Sequence, residues 1–505
     1  MSLLVGLDVG TGGARAVSVS ESGEVVAEAS AEYPLMNPRP GWSEQNPQDW
    51  WRAAKEVLGK VAEKVRETGD GIVGLGLTGQ MHGSVFLNAE DKVIRPALLW
   101  NDQRTQAQCE QMTERVGAKK LIKIAGNPAI TGFQAPKVLW LRDKEPENYS
   151  KVTHVLLPKD YVRLQLTGEF ATDASDASGT LFLDMGSRNW SSEILDTLEI
   201  PMEWLPKVYE GDERAGQLRR SVAGELGLPE GIPVAAGGGD NAAAAVGIGI
   251  IESGLLSSSV GTSGVLFAAS EHFTPDLSGR LHAFCHAVPG KYHLMGVTLS
   301  AGGSLKWWRE ALKAFSSADF DELVEVASRV VPGAEGLIFL PYLSGERTPH
   351  LDPFARGAFV GLTTRHTTAH MTRSLMEGVV FSLRDSLEAI RRLDVPIEQI
   401  RVTGGGARSS LWRQLQADIY NAPIYRTTAD EGPAYGAALL GGVTAAVFED
   451  VWDASSQVGL REEIAQPDPG RAKLYEEYYG VYRSLYPSQR AIMHRLSRMP
   501  SMPEV

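Results

Sequence analysis

Along the first ninety positions the spacing of apolar residues switches between a period of two and a helical period. Leu3–Asp8 and Ala14–Ser20 read as two β-runs joined by Val9-Gly10-Thr11-Gly12-Gly13, a glycine-rich hairpin turn. Asn46-Pro47 then supplies an N-cap and a proline at the first helical position. Trp50, Ala54, Val57, Val61 and Val65 follow at helical spacing. Ile72–Leu77 and Ser84–Leu87 return to strand. In the second half Val265–Ala269, Leu294–Thr298, Leu337–Leu340 and Ile400–Thr403 are expected strands. Ser304–Lys313, His370–Arg392, Ser410–Asn421 and Pro433–Ala446 are expected helices. This alternation predicts an α/β architecture.

The pattern also echoes itself. Val9-Gly10-Thr11-Gly12-Gly13 recurs as Val260-Gly261-Thr262-Ser263-Gly264, again entering an apolar run. Thr78-Gly79 after one strand is matched by Thr403-Gly404 after another. No short repeat period is present, which excludes a solenoid. The echo predicts a duplicated chain with units 1–245 and 246–505, a junction near residues 240–256, and a cleft between the halves.

Composition narrows the function classes. The 505 residues are 43% hydrophobic and 22% charged, a globular balance, and 49 Lys and Arg against 62 Asp and Glu leave −13. That sign, with no long basic block, argues against a nucleic-acid partner. The two cysteines, Cys109 and Cys285, form neither a disulfide framework nor a CxxC site, as a reducing compartment would have it. The N-terminus lacks a basic stretch and meets Asp8 early, unlike a signal peptide. No run of 18 apolar residues exists, and the most apolar segment, Pro233 to Ile251, carries Asp240-Asn241 within it. These features predict a soluble cytoplasmic protein without a membrane partner and leave a homodimer open.

Several glycine clusters are candidates for phosphate. Gly74-Leu75-Gly76-Leu77-Thr78-Gly79 fits GxGxxG literally, yet its glycines lie inside a strand pattern that leads to another strand, so a dinucleotide fingerprint fails on context. The Gly-Lys pairs precede Val and Tyr, so a P-loop fails too. The two hairpin turns remain, Gly10-Thr11-Gly12-Gly13 and Gly261-Thr262-Ser263-Gly264. Their N–H and hydroxyl groups can converge on an anion, although ordinary tight hairpins would look the same. Asp8 precedes the first and Ser259 the second; Mg²⁺ beside phosphates needs one such carboxylate. Gly404-Gly405-Gly406-Ala407-Arg408, between a strand and a helix, either admits a planar base to the backbone or serves helix–sheet packing.

Asp8-Val9-Gly10-Thr11, Gly261–Gly264 and Gly404–Arg408 together resemble the phosphate and adenosine loops of the actin-like ATPase superfamily. Within it the chain resembles the FGGY carbohydrate kinases, through Trp42-Ser43-Glu44-Gln45, Trp100–Arg104, Phe133–Trp140 and Ser344–Pro349. Gly79-Gln80-Met81-His82-Gly83 and Gly237-Gly238-Gly239-Asp240-Asn241-Ala242 are similar to the members that phosphorylate D-xylulose at O5. Gln134 departs from the family pattern, which carries Ser, Thr or Pro there.

The resemblance implies two ribonuclease-H-like domains flanking a cleft, with ATP, Mg²⁺ and D-xylulose as ligands. Asp240 becomes the general base that takes the proton of the sugar hydroxyl; taken alone, it would equally cap the helix it opens. Asp8 becomes the carboxylate that orients Mg²⁺·ATP. Met81 and His82 become sugar contacts, Asn241 an amide bonding two sugar hydroxyls, and Trp100 either a stacking platform or core. Gly10, Thr11, Gly12, Gly261, Thr262, Ser263, Gly404, Gly405, Gly406 and Arg408 become nucleotide contacts. Gly432–Ala438 and Ala242–Gly247, both rich in small residues, become crossing helices about which the domains close. Arg347 either contacts phosphate or pairs with Glu346. His282 and His286 lack the spacing of a zinc site. Two rivals stay open: a kinase of a related sugar such as ribulose, and an actin-like ATP-driven machine.

Overall fold

The computed structural model describes residues 2–313, 316–427, 432–458 and 462–499. Ser2–Val9 and Gly13–Ser20 form the expected hairpin, in register Leu7↔Ala16 and Val9↔Ala14. Val25–Glu32 extends it on one side, and Gly71–Gly79 runs parallel to Ser2–Val9 on the other. Pro233–Ala235 and Arg214–Gln217 complete that edge, and Gly238–Gly239 pairs with the end of Gly71–Gly79.

A second sheet repeats the plan. Gly254–Val260 pairs antiparallel with Gly264–Ser270 and parallel with Ile397–Thr403; Tyr292–Thr298 and Ile424–Arg426 take the flanking places. The duplication read from the sequence holds at the level of register. Asp8 faces Thr78, and Ser259 faces Thr403. The hairpins differ in length, since Val9 pairs with Ala14 whereas Val260 pairs with Gly264, one residue sooner.

Helices cover the sheets. In Pro47–Thr68 the Asn46 side chain accepts from the Gln48 N–H, and Gly69 ends the helix in the left-handed region. Its face of Trp50, Ala54, Val57 and Val61 is buried, as the spacing predicts. Thr368–Arg391 begins two residues before the expected His370, because Thr367 and His370 form a capping box. None of the described helices is long and apolar enough to cross a membrane.

One helix breaks the half-by-half order. Gly432–Thr444 lies late in the chain, yet Gly6 and Gly76 of the first sheet pack directly on its Ala434 and Ala437 backbone. On its other side Gly436 meets Ala243 and Gly247 of the helix Asp240–Gly247. A Cβ on Gly436 would overlap the Ala243 carbonyl oxygen, so glycine is required for this approach.

Candidate active site

Asp8 stands near the end of its strand, just before the first hairpin turn. Its Oδ1 is buried and has no hydrogen-bond partner among the described residues. Burial first, and then the charge of Asp240, push its carboxyl up to about 7, against a smaller opposite pull from Arg15. The turn beyond it is braced from outside. Gln80 donates to the Gly10 carbonyl at 3.2 Å, Gln45 to the Thr11 carbonyl at 2.7 Å, and the Trp100 indole to the Thr11 hydroxyl at 2.9 Å. Around the exposed edge of the turn, a Cβ on Gly12 would meet nothing within 4 Å.

Asp240 is the first residue of its helix, and Gly239 holds the cap position with no side-chain cap bond. The capping alternative therefore fails: both bonds to Asp240 Oδ1 come from its neighbour Asn241, at 2.8 Å from the backbone and 2.9 Å from the amide. Burial lifts its carboxyl to about 6 against those bonds. Ser175 fixes the approach, its Oγ accepting from the Gly239 N–H at 3.0 Å. Asn241 thus commits one of its two amide N–H groups to Asp240, and its Oδ1 and second N–H remain for a ligand.

Asp240, Asn241, Met81, His82 and Trp100 meet at one cavity of about 260 Å³. All five expected sugar contacts are thus brought together. His82 has a left-handed backbone, φ 67°. Lys137 Nζ, on the helix Gln134–Lys144, supports it by donating to the His82 carbonyl at 2.7 Å and to that of Gly132 at 2.6 Å. Gln134 ties the same helix to the Gly83 carbonyl at 2.9 Å and the Leu156 carbonyl at 3.2 Å. His82 Nδ1 lies 2.7 Å from the Gly179 carbonyl, which only accepts, so Nδ1 carries the hydrogen and Nε2 is left as acceptor. Burial depresses its pKa to about 3, and the ring is neutral. Trp100 is 38% exposed and walls the cavity, so it is no core residue.

Two lining residues were not read as sugar contacts. The carboxylate of Glu346 accepts from the Thr298 hydroxyl at 2.7 Å and from the Leu299 and Arg347 N–H groups at 2.9 and 2.7 Å. Of the two readings left open for Arg347, a side-chain ion pair with Glu346 does not form among the described residues, and Arg347 lines the cavity. His282, considered only for zinc, lines it too, with Nδ1 2.8 Å from Asn127 Oδ1. Its neighbour in an aromatic-rich motif and its place on a strand were the only signals.

The second hairpin turn separates this cavity from another. Ser263 lies on the Asp240 side, whereas Gly261 and Thr262 line a cleft of about 530 Å³ with Gly405, Gly406 and Arg408. Gly404, at φ 75°, lies against the Val260 carbonyl and lines a space of about 230 Å³ with Asn241 and Ser259. Asn241 and Val265 border both that space and the Asp240 cavity, so the two are neighbours. Gly302 and Gly303, where the helix Gly302–Leu312 starts, also wall the cleft; their N–H groups donate to the Gly261 and Thr262 carbonyls at 2.7 and 3.0 Å. The glycine pair at that helix start was the available signal. Among the described residues no three His, Cys, Asp or Glu side chains converge as a metal cage. Asp8, with its unpartnered buried oxygen, suits a cation that takes its remaining ligands from phosphates and water.

Two sheets of matching plan, each carrying a glycine hairpin, define a duplicated ribonuclease-H-like architecture. The N- and C-terminal domains of the FGGY family of carbohydrate kinases match residues 3–247 and 256–445, and the chain belongs to that family. It is 41% identical to the xylulose kinase of Escherichia coli K12 over 485 residues, covering 96% of this chain and 98% of that one. A crystal structure of a xylulose kinase from Brucella ovis superposes with a TM-score of 0.92 at 38% identity, over 97% of this chain and 100% of that one. A gluconate kinase structure from Lactobacillus acidophilus also reaches 0.92, at 28% identity over 98% and 99% of the two chains. Backbone shape alone therefore does not select the sugar.

Proposed function

We propose that the protein transfers the γ-phosphoryl group of ATP to O5 of D-xylulose, giving D-xylulose 5-phosphate and ADP. The observation that carries this reading is the turn Gly261–Ser263, which has one face on the cavity of Asp240 and the other on the glycine-lined cleft. A sugar in the first and a triphosphate in the second would meet across it. Similarity to curated xylulose kinases over nearly the whole chain favours D-xylulose over gluconate or ribulose. The family also speaks against an ATP-driven machine with no small-molecule acceptor.

In this reading Asp240 accepts the O5 proton as O5 attacks the γ-phosphorus. The new O–P bond forms as the bond to the β-bridging oxygen breaks, and ADP leaves with that electron pair. Asn241 keeps Asp240 Oδ1 occupied and aims the carboxylate. His82 Nε2 accepts from a sugar hydroxyl, Arg347 and the Asn241 carbonyl complete the polar lining, and Trp100 and Met81 cover the apolar face. Asp8 would hold Mg²⁺, which when bound supplies neutralising charge to the triphosphate. Thr11 and Gly12 present N–H groups to the transferred phosphoryl group, while Gly10 holds the turn closed by donating its N–H to the Gly13 carbonyl at 3.1 Å, and Gly404–Gly406 with Arg408 flank the adenosine. Phosphorus NMR of the product tests the assignment: a signal coupled to the C5 methylene protons supports it, and phosphate on another carbon refutes it.

A further inference from the structure

A cavity of about 500 Å³, separate from the sugar and nucleotide spaces, opens between the helices Thr368–Arg391 and Pro469–Ser497. Four arginines line it: Arg280 from a loop, Arg392 just past one helix, and Arg483 and Arg490 two turns apart on the other. All four are exposed. Asp385 is the single carboxylate in the lining; it accepts from the Tyr479 hydroxyl at 2.7 Å and its charge faces Arg483 and Arg392. Asp352 lies just beyond, 3.8 Å from Arg490, and is already bonded to Tyr486 and His494. Among the described residues the Arg280 and Arg392 guanidinium groups have neither a hydrogen bond nor an ion pair. On a chain of net charge −13, four cations meet around one hollow with only Asp385 and Asp352 to offset them, which leaves an excess of positive charge for a bound anion.

The hollow is built to be rigid. Its floor is Tyr342, Tyr482 and Tyr486; the Tyr342 and Tyr482 hydroxyls are 2.9 Å apart, and His350 Nε2 lies 3.1 Å from Tyr342. Its size falls within the usual range for small-molecule pockets, about 300–1,000 Å³. Planar guanidinium forks match carboxylate and phosphate oxygens. We propose that this cavity is a second binding site, for a small organic molecule carrying two or more phosphate or carboxylate groups, and that its occupancy alters sugar binding. One closed loop joins the two sites. Glu346 and Asp352 exchange backbone hydrogen bonds, both 2.9 Å, and close the loop between them. Arg347 of this loop lines the sugar cavity, whereas Pro349, His350 and Leu351 line the arginine cavity.

The test is calorimetric titration of the full chain with D-ribulose 1,5-bisphosphate, citrate and inorganic phosphate at matched ionic strength. Saturable 1:1 binding of the bisphosphate or of citrate is expected, and which of the two binds separates a phosphate from a carboxylate ligand. The Kd should rise at least tenfold in Arg392→Ala/Arg483→Ala, recover partly in the double lysine variant, and stay unchanged in Arg220→Ser on a distant surface. No saturable binding, an unchanged Kd in the double alanine variant, or inorganic phosphate binding as tightly as the larger anions would overturn the site. The titration stands whichever sugar the enzyme takes. The coupling rests on the D-xylulose reading: the ligand should shift the KM for D-xylulose in the native protein and leave it unmoved in the double alanine variant. Binding without that shift overturns the coupling.

Discussion

Asn241 donates twice to a single oxygen of Asp240, from its backbone at 2.8 Å and from its side-chain amide at 2.9 Å. The second oxygen, Oδ2, has no partner among the described residues and belongs to a side chain that lines the sugar cavity. One oxygen is thus fixed by the chain while the other is left for a ligand, as the proposed base would require. Burial works in the same direction, since it makes the carboxylate a stronger base than a solvated one.

The pH dependence follows from that burial. With Asp240 as the base proposed above, its ionised form is the active one, and activity is expected on the alkaline side of its titration. With Asp240 raised to about 6 and Asp8 to about 7, the two interacting carboxylates should give kcat/KM an acid limb between those values. A pH–rate profile flat down to pH 5 would contradict this.

Asp8 carries the opposite consequence for stability. Its folded-state pKa lies above the unfolded value of 3.8, so the fold binds the proton more tightly and loses stability as pH rises through about 7. Asp8→Asn removes that loss. Without nucleotide or metal, the variant should melt above the native protein at pH 8 and together with it near pH 4, while its kcat falls sharply. Equal melting temperatures at pH 8 would speak against an unfavourable buried charge.

His82 is neutral and offers an acceptor to the sugar cavity. His82→Ala should therefore raise the KM for the sugar more than the KM for ATP, in steady-state kinetics with each substrate varied. An equal rise in both would indicate damage to the fold around Lys137.

At the helix crossing, Gly436→Ala places a methyl group against the Ala243 carbonyl and Gly247. Overpacking of this kind costs about 1–3 kcal/mol. A lowered thermal midpoint is expected, with reduced kcat because the displaced helix is the one that Asp240 opens. A native midpoint would mean that the helices separate without cost.

How much of this was legible in the sequence depends on whether main chain or side chain carries the feature. The hairpins, the Asp8/Ser259 asymmetry and Gly404–Arg408 were legible, because glycine and strand periodicity constrain the backbone directly. Arg347 was ambiguous, since an adjacent Glu346 predicts a pair; in the fold, Glu346 turns inward to Thr298 and Leu299 and leaves Arg347 to the cavity. His282 was hidden because its role comes from Phe133 and Asn127, which lie more than a hundred residues away. The one-residue difference between the hairpins was also invisible, since the two motifs have equal length. Packing of Gly432–Thr444 on the first sheet is a tertiary choice that small residues permit without dictating.

The most direct test of the account is ADP release with Mg²⁺·ATP and, in turn, D-xylulose, D-ribulose, L-ribulose, gluconate, glycerol or no acceptor, in the native protein and in Asp240→Asn. The account predicts a rate strongly dependent on D-xylulose, and a kcat at least about 10²-fold lower in the variant with ATP binding retained. A faster rate with another acceptor would contradict the substrate, and near-native turnover by Asp240→Asn would contradict the base.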